Sequence, residues 1–253
     1  ELYNAIEAGY GYKLNFNPYH NSIVIKVKGY SQKINLILKE ILNVLFNFSN
    51  NFEELKFNMI KNKFKRDTSN IPLLAPYQLL NYNLEKEWII NFRGYQNLIE
   101  TVDSITFDDT LKFCKNIMLK NMFLKCVNCG NLSKNDLVSF DSYKFSNIEK
   151  PFKSIASINP KYGVHSFKNK NEEDTNDAIG IFYYIGEYSF RKISKMLLYS
   201  LIAGEPFFDT LRTKEQLGYI VRSSKHSFLN NYGILQLIQS SNKDCDYLEK
   251  RIK

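Results

Sequence analysis

No apolar run in this 253-residue chain approaches the roughly eighteen residues that a membrane-spanning helix needs, so a helical membrane protein is excluded. With 44% hydrophobic residues the chain has enough apolar mass for one or two globular domains. Its first residues, ELYNAIEAG, lack the basic start and apolar core of a signal peptide and read as the end of a helix already under way. Its last residues, CDYLEKRIK, have a helical pattern with no Gly or Pro to stop it, so a segment of a longer protein is expected. Cysteine is scarce. Cys126 and Cys129 have C-x-x-C spacing, but no second pair and no nearby His completes a metal site, and Cys114 and Cys245 stand apart. The expectation is buried free thiols in a strand and a reducing, intracellular compartment, with the cytoplasm favoured. The three histidines, His20, His165 and His226, are isolated from one another, so packing or surface roles are expected and no metal ligand is assigned.

The net charge of +8, from 34 Lys and Arg against 26 Asp and Glu, does not choose a partner by itself. Its basic residues are scattered as KNKFKR, KNIMLKN and KNKNEED, without the clustered face or aromatic signatures of a nucleic-acid binder. Neither nucleic acid nor membrane is expected as a partner.

Local patterning gives an α+β class. Strands at 12–17 and 22–30, separated by NPYHN, form a hairpin, and the apolar steps of 32–48 predict an amphipathic helix capped by Ser31. Helices follow at 52–69 and over most of 73–101, with an interruption near Gly94. Thr106 opens another, with acids in its first turn and lysines in its last. A strand is expected at 122–128. Beyond Asn131 the pattern weakens, and Pro151 and Pro160 bracket a candidate linker. VHSFKN and DAIGIFYYIGE then read as strands around a charged loop. A helix from Ser189 ends at Gly204, and a second runs from Pro206 to Gly218. Two strands follow, YIVRSSKHSF and YGILQLIQSS. Hairpins alternate with runs of helices, which indicates mainly antiparallel sheets with helices on one face.

The stretch EPFFDTLRTKEQLGYIV, Glu205 to Val221, resembles the insulinase family of zinc peptidases, the insulin-degrading-enzyme and pitrilysin group. Weaker similarity extends along ELYNAIEAGYGYKL, VKGY, CGNLSK and IQSSNKDCDYLEKRI. The resemblance implies metallohydrolase-like domains, with 1–150 as the latter part of the third of four homologous domains and 151–253 as the first part of the fourth. In that family two halves close around a peptide. The first domain carries an H-x-x-E-H motif that holds zinc, and no such motif can be written from this sequence. The implied cofactor is therefore Zn2+ held by the N-terminal half of the full-length enzyme, with none in this chain.

The resemblance assigns Arg212 and Tyr219 as the pair that reaches from the fourth domain to the scissile peptide, where a guanidinium and a phenol can stabilise a developing oxyanion. It also implies that Phe208, Tyr219 and Val221 line the pocket for the residue after the cut bond. Phe208 lies four residues before Arg212 on a helical face, Gly218 is placed to end that helix, and alternation sets Val221 on the same strand face as Tyr219. Lys214 and Glu215 would point differently around the helix and are expected in a solvated face, while Gln216 and Thr213 brace the turn. Asp209 stands where the family has Asn, adding a negative charge one turn from Arg212.

Two functions remain open. In the first, the chain is a non-catalytic, substrate-binding region of a zinc metalloendopeptidase acting on short unfolded peptides, inactive alone and partnered by the N-terminal half. The second is a catalytically inactive homologue acting as a binding or assembly module. A homo-oligomer is compatible with either.

Overall fold

A computed structural model describes residues 9–17, 22–115, 122–131, 140, 145 and 157–253. The expected helix end at 1–8, the turn holding His20, the far end of the helix after Thr106 and most of the candidate linker lie outside the described residues. Contacts divide the chain into two compact units, the first from residues 1–65 and 100–155 and the second from 66–99 and 156–253.

In the first unit, β1 (Gly11–Asn17) and β2 (Ser22–Lys28) pair antiparallel, with Gly11 opposite Lys28. Helix α1 (Ser31–Phe46) follows. Its Ile37 and Ile41, one turn apart, are buried with Tyr10, and Ile25 and Val27 from one face of β2 pack against them. Ser31 is not the cap. Tyr30 occupies that position in extended backbone without a side-chain bond, and Ser31 is already helical, so its hydroxyl cannot take the capping geometry.

A short helix α2 (Phe48–Asn51) leads to α3 (Glu54–Ser69), and Phe52 between them meets the rings of Phe48, Phe57 and Phe107 at 4.4, 6.5 and 5.9 Å. Further on come α5 (Tyr95–Ser104) and α6 (Phe107–Phe113). Thr106 caps α6 as expected: its hydroxyl oxygen accepts from the Asp109 amide at 3.1 Å, and the Asp109 carboxylate accepts from the Thr106 amide at 3.0 Å. The expected strand at 122–128 does not form. These residues have no ladder partner among the described residues, and Cys126 and Cys129 are exposed free thiols rather than buried ones.

The second unit is built on a three-stranded antiparallel sheet in the order β3-β5-β4, where β3 is Asp177–Glu187, β4 Ile220–Phe228 and β5 Asn231–Ser240. Central β5 is buried along nearly its whole length, which its apolar run GILQLI permits on both faces. One face packs Val221 and Ile238 against Leu211, Leu217, Leu248 and Ile252, the last two on α8 (Cys245–Ile252). Opposite lies α4 (Pro76–Trp88), whose Trp88 meets Phe182, Tyr184 and Phe228. Half-buried His226 packs against both Phe182 and Phe228 at 5.7 Å, and burial depresses its pKa, as befits a packing histidine.

Two sequence expectations fail in this unit. VHSFKN forms no strand because it has no ladder partner among the described residues. The following loop is instead folded by Asn169, Asn171 and Asp174, whose side-chain oxygens accept from backbone amides two residues on. Nor do two helices meet at Gly204. Helix α7 (Phe190–Phe208) runs through both Gly204 and Pro206, because Gly204 keeps helical backbone instead of the left-handed turn that would end the helix.

Candidate functional site

Residues Asp209–Lys214 continue α7 as a wider π-helical turn, closed by the Glu215 amide donating to the Thr210 carbonyl five residues back at 2.9 Å. Such turns are uncommon and recur at functional positions. Leu211 is buried beneath the turn and Arg212 projects from its upper side, partly exposed. The chain leaves at Gln216, whose φ of 52° lies in the left-handed region, and the Leu217 amide then donates back to the Leu211 carbonyl at 3.0 Å. Gln216, not Gly218, reverses the chain. Leu217 is buried with Leu211, so two core anchors six residues apart fix the loop that carries Arg212 and leads to Tyr219.

Gly218 has another duty. It passes so close to β5 that a Cβ there would lie 1.8 Å from the Gln239 carbonyl oxygen, a backbone atom that cannot swing aside. Gly218→Ala is therefore expected to force the start of β4 away from β5, costing about 1–3 kcal/mol of stability by overpacking. Tyr219 would shift with it. Thermal unfolding of the full-length variant checks this, and an unchanged melting temperature would show that the approach is looser than described.

Arg212 and Tyr219 are brought together, with the guanidinium carbon 5.4 Å from the centre of the tyrosine ring. Tyr219 is 83% exposed, so the pair presents a phenol and a planar cation to solvent. Phe208, at the last turn of α7, is 48% exposed. Val221 goes elsewhere: it is 6% exposed and belongs to the core with Leu217 and Ile238, although it is only two residues from Tyr219. Alternation does not carry across that interval because Tyr219 precedes the strand, which begins at Ile220.

The charges around the turn sort into separate pairs. Asp209 accepts from Lys214 at 2.8 Å, which raises the Lys214 pKa, so the extra acid neither holds nor opposes Arg212 directly. Glu215 takes a two-pronged contact from Arg251 on α8, Nε to Oε2 at 2.8 Å and Nη2 to Oε1, which holds its carboxyl below the usual range. Lys214 and Glu215 thus point to different partners, as their adjacency suggested. The π turn and the Glu215–Arg251 contact carried no signal in the sequence. The contact joins residues 36 positions apart across two elements, with no short motif between them.

This arrangement can donate hydrogen bonds from a neutral hydroxyl and a permanent cation to an oxygen gaining negative charge. A phenol and a guanidinium offer no imidazole, thiolate or carboxylate to zinc, and among the described residues no group of three or more His, Cys, Asp or Glu side chains comes together.

Residues 1–97 match the family model for the middle or third domain of M16 peptidases, and residues 197–253 match that for the C-terminal lobe domain 4 of PQQ synthase PqqF-like proteins. The chain is 28% identical to human insulin-degrading enzyme over 262 residues, covering 99% of the chain and 25% of that protein. The Drosophila melanogaster insulin-degrading enzyme is 26% identical, covering 90% and 24%. The Saccharomyces cerevisiae A-factor-processing enzyme is 28% identical, covering 95% and 24%. In structure the chain is similar to crystalline pitrilysin, with a TM-score of 0.63 over 96% of the chain and 26% of pitrilysin at 16% identity, a likeness of fold. The chain thus spans about a quarter of the length of the relatives it matches.

Proposed function

We propose that the chain, similar to the M16 peptidases over its first 97 residues and to insulin-degrading enzyme along its length, is a substrate-facing region of a zinc endopeptidase that hydrolyses short unfolded peptides, and that Arg212 and Tyr219 are its contribution to the chemistry. The carrying observation is the pairing of the Arg212 guanidinium with a Tyr219 ring that is almost wholly exposed. Residues 1–150 would be the latter part of the third homologous domain and 151–253 the first part of the fourth, a reading supported by the two family models at either end of the chain.

When a peptide carbonyl is attacked, charge grows on its oxygen. Donors already aimed at that position stabilise the transition state more than the ground state. Tyr219 offers its hydroxyl as a neutral donor and Arg212 a planar set of N–H groups, both standing clear of the core and held by a loop anchored at buried Leu211 and Leu217. Phe208 would form the open wall of the pocket for the residue after the cut bond. The zinc of such a peptidase would be held by another part of the full-length protein and would supply Lewis-acid chemistry there. Exposed apolar residues on α7, among them Leu198, Leu201 and Ile202, support a reading in which further chain, including the N-terminal catalytic half, covers this unit.

The full-length protein is expected to cleave a quenched fluorogenic peptide and to lose that activity on chelation. A folded full-length protein that binds the peptide without cleaving it would make the chain part of an inactive homologue serving as a binding module.

A further inference from the structure

Exposed ion pairs usually contribute little, but a two-pronged guanidinium–carboxylate contact fixes orientation as well as distance. Glu215 is the first residue beyond the π turn, between Arg212 and Tyr219, and its carboxylate is gripped by both Nε and Nη2 of Arg251. The glutamate side chain is 24% exposed and the arginine side chain 42%, so the contact lies partly sheltered against the protein. Arg251 stands on α8, which also supplies Leu248 and Ile252 to the cluster that buries Leu211 and Leu217. One helix therefore holds the turn in two ways: its apolar residues seat the leucines at either end, and its arginine grips the residue where the chain departs from helical backbone.

Asp244 orients that helix by accepting from the Tyr247 amide at 2.8 Å. Just before it, the buried Ser240 hydroxyl oxygen accepts from the amides of Asn242 and Lys243, so the support is itself fixed to the end of β5. Without the grip, Glu215 and the left-handed Gln216 would keep the backbone bonds to Thr210 and Leu211 and the buried leucines on either side, but no side-chain restraint of their own among the described residues.

We propose that Glu215 and Arg251 are positioning residues that set the separation and orientation of Arg212 and Tyr219 by clamping the turn between them onto α8. This rests on the reading of Arg212 and Tyr219 given above. The clamp touches no substrate and acts only through those two side chains.

The test uses the full-length protein with Glu215→Gln, Arg251→Gln, the exchange Glu215→Arg with Arg251→Glu, Tyr219→Phe, and Glu215→Gln combined with Tyr219→Phe. In Glu215→Gln kcat is expected to fall about tenfold with KM little changed, less than the ~100-fold that a full 1 Å misplacement can cost. Arg251→Gln should match it, and the exchange should recover part of the loss. In the Tyr219→Phe background the same substitution should cost at most about twofold more, since a clamp acting through that pair has little left to position. Hydrogen exchange of the 211–219 backbone, read on the same proteins, should quicken in Glu215→Gln and slow again in the exchange variant whether or not turnover is measurable. Unchanged exchange there overturns the clamp outright. A normal kcat in Glu215→Gln beside a crippled Tyr219→Phe overturns the clamp alone, whereas a normal kcat in Tyr219→Phe removes the underlying reading and the clamp with it.

Discussion

Tyr219→Phe in the full-length enzyme is expected to lower kcat by roughly 10²–10³ while leaving KM and thermal stability nearly unchanged, the size of effect seen when one oxyanion-stabilising donor is deleted. The geometry makes this substitution unusually clean. The ring is 83% exposed and serves no core, so removing its hydroxyl disturbs no packing, and Phe keeps the aromatic face over which Arg212 lies at 5.4 Å. On the reading proposed for this pair, only the hydrogen bond made in the transition state is lost. Arg212→Lys should be comparably damaging, because an ammonium is a point charge that cannot reproduce the planar fork of donors. Steady-state kinetics on a fluorogenic peptide, with melting temperatures alongside, decide the matter. A well-folded Tyr219→Phe enzyme with normal kcat would leave Tyr219 a pocket wall with no part in the chemistry.

The closeness of Arg212 and Tyr219 was legible because its information is local: the turn that unites them lies within eight residues, so sequence proximity and spatial proximity coincide. What was misread depends on partners far along the chain. Gly218 looks like a helix-ending glycine, since glycine commonly occupies the left-handed position there, yet Gln216 takes that conformation and Gly218 is required by the passage of β5. Val221 looks like a pocket residue by alternation, and only the packing of α8 beneath it reveals a core residue. Gly204 and Pro206 carry strong helix-breaking signals, but α7 packs along β4 and continues through both. Cys126 and Cys129 sit in a strand-like run, and patterning cannot tell whether a partner strand exists to bury them.

The fold shows the same division. Each hairpin, the α1 amphipathic face and the Thr106 cap follow from short-range rules, namely period-two alternation, three- and four-residue steps and a side-chain oxygen three residues from an acid. Helix α4 does not. Nothing in residues 76–88 announces that they cover the far face of a sheet whose strands begin some ninety residues later. A lone Trp specifies burial without specifying against what.

That lone Trp carries the largest expected stability effect. Trp88 is 5% exposed and its ring meets Phe182 at 5.1 Å, Tyr184 at 5.3 Å, Phe228 at 5.5 Å and Tyr162 at 6.4 Å, all at steep interplanar angles. Its carbonyl accepts from the Asn159 amide at 2.8 Å, and the Ile90 amide donates to Ser157 at 2.8 Å, so the same short segment binds 157–159 through its backbone. Trp88→Ala keeps those backbone bonds but removes the ring from the centre of four others, an edge-to-face cluster that cannot close on itself because its members project from β3, β4 and the chain after the linker. The expected cost is about 3–5 kcal/mol from transfer and cavity together. At about 3 °C per kcal/mol for a unit of this size, that lowers its melting temperature by on the order of 10 °C. Trp88→Phe should cost clearly less, since a smaller ring still fills part of the space. Hydrogen exchange of β3 and β5 in the full-length protein localises the effect: accelerated exchange there with Trp88→Ala is the expected result. A loss below about 1 kcal/mol would mean that α4 is held to the sheet by the Tyr77 amide and Gln239 side chain and by Leu80 against Gly180, and not by this ring.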